Sequence, residues 1–225
     1  MRTCVWLFRS LLMVASCCAV VSGCALLVGG AAVGTAAGTV YVGTDRRSVS
    51  TQYDDTKIAH QINSTFKEHF ANQSVRIDVT AYDHKVLLAG QVPSEKDRTD
   101  AEGIAAGTQG VRQVVNELTI GSLTSMPTGT QDSALAGEVR GALLNASGLP
   151  PGVVLVSCTG GTIYLFGRVG SKEAEVAEHA ASRVGGVKRV VALFDLLSDA
   201  ELAQIQREEQ PGPPPSTFPG TGAHP

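Results

Sequence analysis

The chain has 225 residues, 18 basic and 21 acidic side chains, a formal net charge of −3 and 43% hydrophobic residues. That length suits one ordinary domain or two small ones. The acidic balance argues against the basic footprint that nucleic acid requires, so no nucleic-acid partner is expected.

Arg2 and Arg9 are the only charges ahead of Asp45. A basic start, an apolar run from Leu11 to Val21 and the small residues Ser22-Gly23 make an export signal. The next residue is a cysteine, and Val21-Ser22-Gly23-Cys24 resembles the bacterial lipobox. The resemblance implies a diacylglyceryl group on the Cys24 thiol and an acyl chain such as palmitate on its amine, with no other cofactor. Ala25, where an aspartate would retain a lipoprotein in the inner membrane, implies the outer membrane, facing the periplasm. An uncleaved membrane helix is the alternative. Ala25 to Val42 is weak for that purpose, being dominated by Gly and Ala. Gly30, Gly34 and Gly38 suit close helix approach in a membrane or a flexible tether, and a tether is expected. Cleavage before Cys24 leaves Cys158 as the one unlipidated thiol, so no internal disulfide can form.

From residue 54 the sequence repeats. Ile58, Ile62 and Phe66 stand four apart on one helix face, and 77 residues later come Leu135, Val139 and Leu143. The same offset carries Ile77 and Val79 to Val154 and Val156. It also carries Val86, Leu88 and Gly90 to Ile163, Leu165 and Gly167, and Ser94 to Ser171. After one lost residue, Gly110-Val111, Val114, Val115, Leu118 and Ile120 match Gly186-Val187, Val190, Val191, Phe194 and Leu196. Each copy reads helix, strand, turn, strand, helix, strand. The turns are expected around Tyr82-Asp83-His84-Lys85 and at Gly160-Gly161. Ser94 and Ser171 are expected to cap the second helices, and Gly185-Gly186 to stop the later one. In that helix Val176, Ala180 and Val184 form one stripe, with Ala177 and Ala181 beside it. Cys158 continues the Val154, Val156 alternation and is expected to be a buried, inert thiol. Gly90, Gly167, Gly110 and Gly186 are structural, serving close packing and turns.

The phrases Val86-Leu87-Leu88-Ala89-Gly90-Gln91-Val92 and Gly110-Val111-Arg112-Gln113-Val114-Val115-Asn116-Glu117 resemble the BON domain. So do Ile163-Tyr164-Leu165-Phe166-Gly167-Arg168-Val169 and Gly186-Val187-Lys188-Arg189-Val190. The layout from the lipobox to about Leu197 is similar to the dual-BON outer-membrane lipoproteins, including the linker Thr44-Asp45-Arg46-Arg47. The implied fold is α+β: two tandem domains, each α-β-β-α-β with a three-stranded mixed sheet and two helices. The expected division is a signal peptide over 1–23, a tether and linker over 24–53 and a first BON domain over 54–121. A linker over 122–131, a second BON domain over 132–197, a short helix over 198–209 and a disordered Pro-rich tail over 210–225 follow.

No motif for catalysis stands out. The five histidines lack metal-ligand spacing, and Ser64-Thr65-Phe66-Lys67 fits an acylating-serine pattern without its partners. The resemblance implies a non-catalytic role: contact with phospholipid, anionic in kind, through the second domain, in support of the envelope. Residues 54–120 hold seven basic and ten acidic side chains, whereas 132–197 hold six of each, so the second copy repels an anionic surface less. Arg140, Lys188, Arg189, Arg183 and Leu135 are its candidate lipid-binding residues. The family's contact helix bears a Trp near its start, where this chain has Ala134, and Leu149-Pro150-Pro151 is an apolar loop that could compensate. The alternative is a scaffold for outer-membrane assembly or cell-wall division proteins, with the Cys24 lipid as sole membrane contact.

Overall fold

A computed structural model describes residues 45–71, 74–121 and 129–209, all within one compact unit. Cys24, the tether glycines and the Pro-rich tail lie outside the described residues.

The first copy forms α1 (Val49–His69), β1 (Arg76–Tyr82), β2 (Lys85–Val92), α2 (Glu95–Ala106) and β3 (Gln113–Ile120). The second forms α3 (Gly129–Leu144), β4 (Leu155–Thr159), β5 (Thr162–Phe166), β6 (Arg168–Val169), α4 (Ser171–Ser182), β7 (Arg189–Ala192) and β8 (Asp195–Leu196). A last helix, α5 (Asp199–Glu209), follows and carries the Ser198/Glu201 capping box. In each three-stranded sheet the central strand pairs antiparallel with its hairpin partner and parallel with the last strand. The fold is therefore the α+β arrangement of two α-β-β-α-β units with mixed sheets. In the second copy the ladder breaks at Gly167 and resumes as the short β6–β8 pair. A Cβ on Gly167 would stand 2.6 Å from the Val153 carbonyl oxygen, and one on Gly90 would stand 2.1 Å from that of Arg76. Both glycines serve close backbone approach.

Strand β2 is buried on both faces, which explains its nearly unbroken apolar run. Val86 and Leu88 pack under α1 and α2 with Ile58, Ile62, Phe66, Ala101 and Ala105. Leu87 and Ala89 face the other way, onto Tyr164 and Phe166 of β5. The two sheets thus lie face to face with their helices outside. Tyr82 stacks on Phe166 at 5.9 Å between ring centroids. Burying such side chains contributes about 1.5–3 kcal/mol each. Thr80 and Ser157, equivalent residues of the repeat, meet hydroxyl to hydroxyl at 3.3 Å. The hairpin end of the first domain therefore lies beside the far end of the second. There Lys85 Nζ donates to the Leu193 carbonyl at 3.1 Å and to Asp195 at 2.9 Å.

A buried aspartate recurs in both copies. Asp55 accepts the amides of Asp83 (2.7 Å) and His84 (2.8 Å). Asp132 accepts those of Gly160 and Gly161, both at 3.1 Å. All four turn residues have positive φ, the geometry of a two-residue hairpin. The sequence signal for this pair was its 77-residue spacing, three positions ahead of Ile58 and Leu135.

Three local expectations change. Ser94 caps α2, its hydroxyl accepting the Asp97 amide at 3.2 Å, but Ser171 is the first residue inside α4 and Gly170 is its cap. The lost residue therefore falls in the strand-to-helix turn. A Cβ at Gly170 would stand 2.4 Å from Leu202 Cδ1 of α5, so a serine there requires Leu202 to shift. Glu173 takes the Gly170 amide instead, at 2.9 Å. Gly185 and Gly186 do not end α4, which stops at Ser182; Gly186 (φ 90°) turns the chain into β7 as Gly110 (φ 94°) does into β3. The core stripe of α4 is Ala174, Ala177 and Ala181, with Val176, Ala180 and Val184 flanking it.

Candidate functional site

Arg46 and Arg47, just ahead of α1, engage one domain each. Arg46 Nη1 and Nη2 reach Glu173 at 2.7 and 2.9 Å, and Nη1 also donates to the Arg168 carbonyl. Arg168 returns a bond to the Arg46 carbonyl at 3.1 Å. Arg47 donates to Asp45 and Asp55 and lies 3.9 Å over the Tyr82 ring. Burial, with a smaller part from the Asp45 charge, pushes the Tyr82 phenol up to about 12.

Helix α3 opens the second domain and carries Leu135 and Arg140. Leu135 is half-buried against the core, with its Cδ1 3.6 Å from where a Gly186 Cβ would stand. Ala134, Gly137 and Glu138 are exposed, and nothing lies within 4 Å of a Cβ built on Gly137 or Gly141, so this face is open and nearly without bulk. Arg140 Nη2 donates to the Val156 carbonyl at 3.1 Å. Its side chain borders a cavity of about 160 Å³ lined by Leu143, Leu144, Leu149, Pro150, Pro151 and Val154. On its other side Arg140 borders a polar cleft of about 330 Å³, shared with Arg76, Asp78, Asp132 and Cys158.

The other candidates lie elsewhere. Lys188 Nζ donates to the Gly160 carbonyl at 2.9 Å, and its methylenes cover Gly161. Arg189 is paired with Glu117 of the first domain, and that hydrogen bond holds its guanidinium more firmly charged. Burial, then the Glu117 charge, raises the neighbouring Tyr164 phenol to about 12. Arg183 follows α4 and is exposed. Arg140 thus stands apart from Lys188 and Arg189, which are engaged at the second hairpin and at the seam. Leu144 was not a sequence candidate. Its signal was the Leu143-Leu144 pair, of which a helix can turn only one side chain into the core.

Cys158 is half-buried rather than buried. It packs against the second core, and its Sγ donates to Asp132 Oδ1 at 3.5 Å. Burial and the Asp132 charge push the thiol up to about 11. Ser64 and Lys67 are exposed on α1 with buried Phe66 between them. Among the described residues no group of three His, Cys, Asp or Glu side chains could hold a metal. Among them, too, no helix is long and apolar enough to cross a membrane.

The BON domain family model matches residues 54–122 and 131–197. The chain is similar to the outer membrane lipoprotein DolP of Haemophilus influenzae, 32% identical over 177 residues, 78% of this chain and 89% of that protein. It is 30% identical to the 21 kDa hemolysin of Actinobacillus pleuropneumoniae, covering 67% of this chain and 78% of that one. To the osmotically-inducible protein Y of Escherichia coli it is 29% identical, covering 66% and 76%. A solved structure of CdsD from Chlamydia trachomatis covers 69% of this chain and 100% of its own at 15% identity and a TM-score of 0.27, too low to bear on the fold. Two matched domains in tandem, and the extended identity to DolP, establish that the chain belongs to the BON family as a two-domain, DolP-like member.

Proposed function

We propose that this chain is a lipid-anchored, periplasm-facing protein of the outer membrane that binds phospholipid through its second domain and supports envelope integrity, without catalysis. The observation that carries this is the apolar cavity under Leu144, Leu149, Pro150 and Pro151 with the Arg140 guanidinium at its rim. Hydrocarbon suits the lining, and a lipid phosphate suits a guanidinium that has one carbonyl partner and donors to spare. Of the four candidate cations only Arg140 borders that cavity, while Arg189 is engaged by Glu117, so Arg140 leads the candidate set. The lipobox cysteine supplies the anchor, since three acyl chains exceed the two signals that stable attachment needs. The relative DolP is named an outer membrane lipoprotein, which supports the location.

The scaffold reading draws support from the same engagement of Lys188 and Arg189, which leaves fewer cations for a bilayer. Co-sedimentation of residues 45–225 with anionic and with neutral vesicles, at two salt concentrations, separates the two. Salt-sensitive binding to anionic vesicles, lost in Arg140→Glu and Leu144→Glu, supports lipid contact. No binding to either vesicle transfers the role to protein partners.

A further inference from the structure

The chain enters the body at Asp45, and the next two residues are held at once. Arg46, whose side chain is only 2% exposed, is held by Glu173 and Arg168 of the second domain, and Arg47 by Asp55 and Tyr82 of the first. The entry point therefore sits at one defined end of the two-domain body. That end comprises the first domain's hairpin, the start of α1, and the parts of the second domain far from its own hairpin. Gly167 packs on Val153 there, next to the cavity-lining Val154, and Lys85 reaches Asp195 there.

The exposed apolar side chains collect at the same end. Val49 and Tyr53, 83% and 70% exposed, share a face on the first turns of α1, the part of the helix whose Asp55 holds the hairpin. Leu144 ends α3, Leu155 begins β4 and Leu196 ends β8. Of the six large apolar side chains exposed among the described residues, only Ile120 lies at the opposite end, where Arg76 meets Asp132. Scattered single apolar residues need no explanation, but five of six at the end where the chain enters do.

We infer that this end is a bilayer-contact surface, in which Val49 and Tyr53 of the first domain join Leu144, Leu155 and Leu196 of the second, and that Arg46 is the residue that positions it. The inference rests on the lipid-anchored reading above. Twenty residues separate Cys24 from Asp45 and span at most about 70 Å, so tether length alone leaves either end able to face the membrane. The apolar surface selects one. Tyrosine beside an aliphatic residue suits the headgroup boundary, with the ring in hydrocarbon and the hydroxyl wet.

Trp6 lies ahead of Cys24, so the mature chain has no tryptophan and a single introduced one is a unique probe. The full lipidated protein is reconstituted in phosphatidylglycerol–phosphatidylethanolamine vesicles carrying brominated acyl chains. Tyr53→Trp, Leu196→Trp, Leu144→Trp and Ile120→Trp are compared, all at exposed positions that leave the cores intact. Quenching of the probes at 53 and 196, with little at 120, is the expected result, and Arg46→Ala should reduce quenching at 53 at least twofold. Quenching at 144 without any at 53 and 196 overturns this surface and leaves second-domain lipid binding standing. Quenching at none of the four overturns both.

Discussion

Asp132 of the second domain accepts a hydrogen bond from Arg76 of the first, 3.1 Å away across the seam between them. Its counterpart Asp55 is met by Arg47, at 2.8 Å, from within its own half of the chain. The repeat keeps the turn-capping carboxylate and changes the source of its cation. In doing so it turns a local cap into a link between domains.

Removing the Asp132 carboxylate should cost about 2–4 kcal/mol, because two turn amides and a guanidinium lose a buried partner together. Urea denaturation of Asp132→Ala measures the loss. A double-mutant cycle with Arg76→Ala should show a coupling of roughly 1–2 kcal/mol. Strict additivity would mean that the cross-domain pair contributes nothing beyond the cap.

Glu173 predicts a pH dependence. Burial alone would raise its carboxyl pKa, but the hydrogen bonds from Arg46 and the Gly170 amide, with the Arg46 charge, outweigh burial and lower it below the ordinary 4.5. A carboxyl lowered on folding stabilises the fold above its unfolded value, and that contribution is lost as pH falls through the folded value. Stability should therefore drop below about pH 4.5. Glu173→Gln should be less stable at pH 7 and show a shallower acid limb in a pH series of thermal melts. An unchanged acid limb would remove Glu173 from the account.

Gly170→Ser restores the cap that the repeat pattern calls for, yet it should destabilise by about 1 kcal/mol because Leu202 must shift to admit the side chain. In a Leu202→Ala background the same change should be neutral or favourable, since a serine cap is then free to form. Equal costs in both backgrounds, by chemical denaturation, would show that α5 is not what excludes the side chain.

Cys158 should react slowly. With its thiol near 11, against an ordinary 9.0, alkylation at pH 7.4 should run about a hundredfold slower than for an unperturbed cysteine. Asp132→Asn should speed it by removing a charge that disfavours the thiolate. Mass-spectrometric time courses with iodoacetamide decide, and a rate equal to that of free cysteine would contradict the half-buried setting beside the Asp132 charge.

The sequence by itself determined the two units, their element order and most of their inner faces, the stripe of α4 excepted. Helical spacing at Ile58, Ile62 and Phe66, strand alternation at Ile77 and Val79, and paired turn residues are local patterns that appear twice. Only the tertiary structure decided what the second face of each sheet does. Leu87-Ala89 and Tyr164-Phe166 are as apolar as any core pair, but nothing local says that they meet one another. The positioning of Arg46 was hidden for the same reason, its partners Arg168 and Glu173 lying more than 120 residues away. Likewise Leu144 was legible as apolar, but its place beside Leu149, Pro150 and Arg140 depends on how the α3–β4 loop folds back over the helix end. The glycine cap at 170 was hidden because the residue packed against it, Leu202, comes from α5, a later element. Patterns within a helix or a strand are read from neighbouring residues; a seam, a cavity or a steric exclusion arises only when distant segments share one space.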